Sequence, residues 1–236
     1  MLGSTQIRPV IPPYLCFTAN TAGSTVQLTK NGSPTTVTLE TSTDGSIWTT
    51  YTFGSTITLS NIWDKVYRRN TSETTTGFGT SGSSYYYFTM TWSIEASWDV
   101  TSLINKNCTD TVSDYCFLML FYNCSSLKTA PSLLATNLGI ECYSFMFYYC
   151  TNLETLPKLP ATTLANSCYS YMFWSCSKIK ISATQTWEYQ TAYRIPTTWT
   201  WTTAWNWNYN MFANTWWTWT WAPTINQTYY TSNEVV

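Results

Sequence analysis

The feature that most constrains this chain is a repeat of 26 residues. Cys116, Cys142 and Cys168 stand 26 apart, and so do Cys124, Cys150 and Cys176. In that frame the chain reads CFLMLFYNCSSLKTAPSLLATNLGIE (116–141), CYSFMFYYCTNLETLPKLPATTLANS (142–167) and an incomplete CYSYMFWSCSKIKIS (168–182). Six further columns agree: Leu120/Met146/Met172, Phe121/Phe147/Phe173, Leu127/Leu153/Ile179, Pro131/Pro157, Leu133/Leu159 and Leu138/Leu164. One unit of this size cannot bury its own apolar stripe, so neighbours stack and share a core.

Within a unit the apolar residues fall four apart, as in Leu138, Cys142, Met146 and Cys150, or Leu164, Cys168, Met172 and Cys176. Residues four apart share a helical face. The spacing predicts a short amphipathic helix opening each unit, followed by an extended piece such as Leu153–Pro157. Pro157 and Pro160 stop that piece, and Ala161-Thr162-Thr163 starts the next helix with a hydroxyl cap. A helix plus a strand every ~20–29 residues is the leucine-rich-repeat plan.

Cys116, Cys124, Cys142, Met146, Cys150, Cys168, Met172 and Cys176 are then the structural repeat core. Two cysteines eight apart on a helix are about 12 Å apart, beyond the ~7 Å reach of a disulfide. They read as thiols packed like small hydrophobes. Disulfides between units and a metal site are the alternatives. The second lacks support, because a C-x7-C pair does not converge and the chain has no histidine to complete a ligand set.

The segments LPATTLANSCYSYMFWSC and CYSFMFYYCTNLETLPKLP resemble the units of BspA-type leucine-rich-repeat proteins, which run close to LPATTLA-x-x-CY-x-x-MF-x-x-C-T-x-L. The resemblance spans residues 101–182. Such proteins are surface and secreted proteins of bacteria, and similar arrays occur in bacteriophage proteins. What the resemblance implies is recognition or adhesion rather than catalysis.

Residues 13–100 follow another period. YLCFTA, STVQLTK, TTVTLETS, IWTTYTF, STITLS, KVYRR and YYYFTMTW are short, rich in Thr, Tyr and Val, and separated by Gly, Asn, Asp, Ser and Pro. They predict a small β-sandwich, with Thr71–Ser84 as a loop between its last strands and Asp44 as a turn cap. Residues 183–236 leave the 26-residue frame. Met211-Phe212-Ala213-Asn214-Thr215 echoes the Met-Phe step with Thr215 where a cysteine would fall, as a degenerate terminal unit does. The expected architecture is α+β: an N-terminal extension (1–12), a β-sandwich (13–100), a leucine-rich-repeat solenoid of helix and strand (101–182) and a C-terminal capping region (183–236).

The tryptophans break the pattern of an ordinary composition. All nine glycines lie at or before Gly139, while ten of the fourteen tryptophans lie after it. Chains resembling this one carry glycine where Trp63, Trp92, Trp98, Trp199, Trp201, Trp216, Trp217 and Trp221 stand. Turns take glycine because it reaches positive φ without a Cβ clash. The expectation is that these positions, with Trp205 and Trp207, are UGA codons that the organism reads as glycine. Trp48 and Trp219 match aromatic positions and are expected to be genuine, and Trp174 is left open.

Charge and chemistry bound the function. Only 23 residues are charged and the net charge is −1, which leaves no basic footprint for nucleic acid. No GxSxG, P-loop or CxxC occurs, and a cysteine nucleophile would lack its customary histidine base. No enzyme activity, cofactor or metal is expected. No run of 18 apolar residues is present, so membrane insertion is not expected.

The N-terminus has Pro9, Pro12 and Pro13 where a cleavable signal needs an unbroken apolar run. The expected location is extracellular or at the cell surface, reached by another route, or on a virion. The expected function is recognition or adhesion, with a host or bacterial surface protein or glycan as partner. Glu154, Lys158, Lys178, Lys180 and Trp219 are the candidate ligand-binding residues. The alternatives are a carbohydrate-binding module using the tail aromatics and a phage virion or tail accessory protein.

Overall fold

The structure, a computed structural model, describes residues 14–75, 77–194, 198–199, 210–213, 215 and 228–236. Two sheets form the N-terminal part. In the first, β1 (Leu15–Ala19) lies between β6 (Lys65–Asn70) and β8 (Ile94–Ser97), with β3 (Leu39–Ser42) and β4 (Thr49–Thr50) outside β6. In the second, β2 (Ser24–Asn31) is flanked by β5 (Thr56–Leu59) and β7 (Tyr85–Met90). All these pairings are antiparallel. The period-two pattern explains the burial: Val26 and Leu28 on β2 point inward while Thr25, Gln27 and Thr29 do not. Phe17 of β1 meets Phe88 of β7 edge to face at 4.8 Å, which joins the two sheets.

The repeats are not helical, and the expected α+β leucine-rich-repeat class is overturned. Among the described residues the one helical segment is a single 3-10 turn, Val100–Leu103, capped by Asp99. The rest is strands and turns in several open sheets. The reason lies in the backbone at every fourth residue. Tyr115, Met119 and Asn123 have φ of 56°, 57° and 59°. Glu141, Phe145 and Tyr149 follow at 50°, 55° and 58°, and Ser167, Tyr171 and Ser175 at 53°, 57° and 58°. No α-helix survives a left-handed residue in each turn.

The hydrogen bonds show what replaces the helix. Leu118, Leu120, Tyr122 and Cys124 each donate a backbone N–H three residues back, to Tyr115, Phe117, Met119 and Phe121. The alternate, odd-numbered residues donate instead to the next coil: Phe117 to Cys142, Met119 to Ser144 and Phe121 to Met146, at 2.8, 3.0 and 2.9 Å. Each N–H of the ribbon thus has a partner, alternately local and 25 residues on. The left-handed residue occupies the third position of every second turn, where such turns favour glycine or asparagine.

Stacking in register aligns identical side chains. Phe88, Phe121, Phe147, Phe173 and Phe212 form one buried pile with ring centroids 5.3, 5.5, 5.5 and 5.3 Å apart. Each buried ring contributes roughly 1.5–3 kcal/mol. Phe88 belongs to β7, so the N-terminal sheet supplies the layer below the first coil. Phe212 supplies the layer above the third, where Phe173 donates its N–H to the Met211 carbonyl. Thr215, in the cysteine's place, donates its hydroxyl and its N–H to the Phe212 carbonyl within its own turn.

The cysteines are free, and all but Cys108, which is partly exposed, are buried. Cys124, Cys150 and Cys176 donate their thiol hydrogens to the carbonyls of Phe88, Phe121 and Phe147 one layer below, at 3.1, 3.0 and 3.0 Å. A side chain small enough for a tight turn, apolar enough to bury, and still able to donate suits this column. Burial pushes the Cys116 and Cys124 thiols up to about 12 from an ordinary 9.0.

Short strands complete the coils. β9 (Leu127–Thr129) joins the first sheet beside β8 in parallel, so backbone pairing continues past residue 100. β10 (Thr155–Leu156) follows one coil later and β12 (Ile181–Ser182) one more. The expected hydroxyl-capped helix start at Ala161-Thr162-Thr163 is instead β11 (Thr163–Leu164), paired in parallel with β14 (Thr198–Trp199). β15 (Thr228–Thr231) bridges β12 and β13 (Thr191–Arg194), and β16 (Glu234–Val235) runs parallel to β10. Asn233 locks this return by donating to the Glu154 and Lys178 carbonyls and accepting from the Lys180 N–H.

Candidate functional site

The turn ribbon has one face in the core and one in solvent. Even-numbered Cys116, Leu118 and Leu120 are buried, with Phe117 and Phe121. The left-handed residues and the position before the third of them lie on the outer side. In successive coils those outer positions are Met119/Phe145/Tyr171, Tyr122/Tyr148/Trp174 and Asn123/Tyr149/Ser175. Six of these nine positions hold aromatics.

Tyr122 stacks on Tyr148 at 5.1 Å and Tyr148 on Trp174 at 5.9 Å, with planes 6° and 22° apart. Phe145 stacks on Tyr171 at 4.5 Å, and Tyr171 meets Trp174 at 5.3 Å. Tyr149 leans on Tyr148 and is 44% exposed, and Tyr122 is 40% exposed. Tyr85 and Tyr87 of β7 form a further ring pair. The result is a continuous band of rings along the coil edge. Within the stacked columns neighbouring rings cover one another's faces, so the band offers ring edges and phenol hydroxyls.

Past the corner of each coil the character changes. Glu154 takes an ammonium on each oxygen, Lys178 at 2.7 Å and Lys128 at 3.6 Å. The bonded Lys178 ammonium, with Lys128 beside it, holds Glu154 below its usual range. These three side chains line a polar groove of about 310 Å³ with Asn152, Ser126, Ser93 and Trp92. Asn152 is itself fixed by donation to the Ser125 carbonyl at 2.8 Å.

Of the candidate residues, Glu154 and Lys178 are therefore brought together. Lys180 points to Glu188 at 3.8 Å. Lys158 lies apart, beside Leu159, Tyr193 and Arg194. Trp219 lies outside the described residues, as do Trp201, Trp205, Trp207, Trp216, Trp217 and Trp221. Lys128 was not singled out in the sequence, although its column, Lys128/Glu154/Lys180, is legible in the 26-residue frame. Nor was the tyrosine band. Its signal was the pairing of aromatics one unit apart, which a helical reading scatters around a cylinder.

Burial keeps the buried thiols protonated at neutral pH, and burial together with the neighbouring Asp99 pushes the partly exposed Cys108 up to about 11. Among the described residues no group of three His, Cys, Asp or Glu could hold a metal. No helix among them is long and apolar enough to cross a membrane. Comparison with protein-family models, with curated proteins and with solved structures finds no match to this chain.

Proposed function

We propose that this protein is a non-catalytic recognition protein acting at a cell surface or outside the cell, and that it binds a surface protein through the edge of its stacked coils. The observation that carries the reading is the outward aromatic band of Tyr122, Tyr148, Tyr149, Tyr171 and Trp174, held rigid by ring stacking. Tyrosine and tryptophan give large contact area at low entropy cost and are enriched at binding hot spots. Rigid rings lose little freedom on binding. The adjoining Lys128–Glu154–Lys178 cluster supplies polar contacts at the rim, where charge sets orientation more than affinity. Mutual covering of the ring faces favours a protein partner over sugar rings, which stack on faces.

The test is binding of the fluorescently labelled protein to bacterial and host cells, before and after treating the cells with protease or with periodate. Saturable binding that protease removes, that periodate spares, and that Tyr122→Ala with Tyr149→Ala abolishes is the expected result. Binding lost to periodate alone would replace the protein partner with a glycan. Binding that the tyrosine pair leaves unchanged would overturn the site.

A further inference from the structure

A second cavity lies away from the aromatic band. It has a volume of about 280 Å³ and is lined by Leu159, Pro160, Ala192, Tyr193 and Val235, with Lys158 and Arg194. Its walls are apolar apart from the two cations. Tyr193 ties β13 to the turn after β10 by donating its hydroxyl to the Pro157 carbonyl at 2.9 Å. Arg194 is held from the same side, donating to the carbonyls of Leu159 at 2.7 Å and Ala161 at 3.3 Å. Those bonds use two of its five N–H donors and fix the plane of the rest.

The charge pattern distinguishes this place from the groove. Lys128, Lys178 and Lys180 all have carboxylate partners. Among the described residues, Lys158 and Arg194 have none. Two unpaired cations beside an apolar hollow match a ligand with a carboxylate at one end and an apolar body at the other. A concave, mostly apolar pocket with a few converging polar groups is the usual form of a small-molecule site. Arginine in a fixed plane suits bidentate carboxylate binding.

We propose that this cavity binds a small organic carboxylate with an apolar or aromatic body, its carboxylate between Lys158 and Arg194 and its body over Tyr193, Ala192 and Val235. The inference does not depend on the aromatic band. Three probes separate its parts: phenylacetate, benzyl alcohol as the body without charge, and acetate as charge without body. Amide shifts of Ala192, Tyr193 and Val235 in a heteronuclear NMR titration report occupancy.

Phenylacetate is expected to bind saturably, at least about tenfold tighter than either fragment. The double variant Lys158→Gln, Arg194→Gln should weaken it by about tenfold or more. Ala192→Phe, which fills the hollow from the exposed strand β13, should abolish it while distant amide shifts stay in place. Phenylacetate binding no tighter than acetate, or equally well to the Ala192→Phe variant, overturns the proposal. Benzyl alcohol binding as tightly as phenylacetate overturns the carboxylate assignment.

Discussion

The Cys150 thiol donates to the Phe121 carbonyl one coil below, at 3.0 Å. That contact is repeated above and below it, and it gives the cysteine column a structural reason that neither disulfides nor metal would. Replacing Cys150 with alanine removes a net hydrogen bond of about 0.5–1.5 kcal/mol and opens a small cavity, so a loss of about 1–2 kcal/mol in urea denaturation is expected. Cys108→Ala, at a partly exposed position, should cost less than half as much. Equal effects at both positions would contradict the account.

Alkaline pH should unfold the protein earlier than its charge suggests. Burial raises the Cys116 and Cys124 thiols to about 12, and raises Cys142, Cys150 and Cys168 as well, from an ordinary 9.0. A raised folded-state pKa leaves stability intact below 9.0 and removes it as pH climbs toward the folded value, because only the unfolded chain releases the proton. Each such thiol steepens the loss by about 1.4 kcal/mol per pH unit. Buried Tyr143, Tyr169 and Tyr193 act in the same direction above their ordinary 10.0. The measurement is the urea midpoint followed upward from neutral pH, and a flat profile through 9.0 to 10.0 would refute the buried-thiol core.

Three tryptophans should be improved by glycine. Between residues 14 and 100 the described positive-φ positions are Gly23, Gly32, Gly45 and Gly54 together with Trp63, Trp92 and Trp98, at 74°, 62° and 66°. Their indoles are 68%, 68% and 50% exposed, so little burial is lost on removing them. Relief of about 1–2 kcal/mol of left-handed strain per site outweighs the extra chain entropy of glycine. Trp63→Gly and Trp92→Gly are expected to stabilise by roughly 0.5–1 kcal/mol.

Trp48→Gly is the control. Trp48 packs against Tyr14 at 5.1 Å and under Arg69 at 3.9 Å, and its loss should destabilise by about 1–2 kcal/mol. Mass spectrometry of the protein from its own source should show glycine at 63, 92 and 98. Tryptophan there, with destabilisation in all three glycine variants, would end the recoding hypothesis.

The N-terminal sheets and the first coil should be energetically coupled. Phe88 of β7 stacks on Phe121 at 5.3 Å, and its carbonyl accepts the Cys124 thiol. A double-mutant cycle of Phe88→Ala and Phe121→Ala should return a coupling of about 0.5–1.5 kcal/mol, on top of single losses of about 3–5 kcal/mol. Strict additivity would mean that the two regions are independent.

The repeat, its buried columns and the N-terminal strand segments were legible in the sequence, because each rests on spacing that the fold preserves. The conformation of the ribbon was misread for a physical reason. A helix turns every 3.6 residues, so a stripe at strict intervals of four drifts by about 40° per step. Val112, Cys116, Leu120 and Cys124 keep that interval through three steps without shifting to a three-residue one. Tyr115, Met119 and Asn123 gave no warning, since only Asn123 is a residue that favours positive φ. The Lys128–Glu154–Lys178 cluster was half visible as charges one unit apart. The aromatic band required the true geometry, in which equivalent residues lie directly above one another.

The stacked coils depend most directly on the left-handed fourth residue, because that conformation turns Tyr149, Phe145 and Tyr171 outward. Solution NMR measures it. Strong intraresidue amide-to-α-proton contacts at Met119, Asn123, Phe145, Tyr149, Tyr171 and Ser175 are predicted, with amide contacts linking Phe117 to Cys142 and Phe121 to Met146. An unbroken helical series of α-proton contacts to the third residue on, running through 116–124, would contradict it.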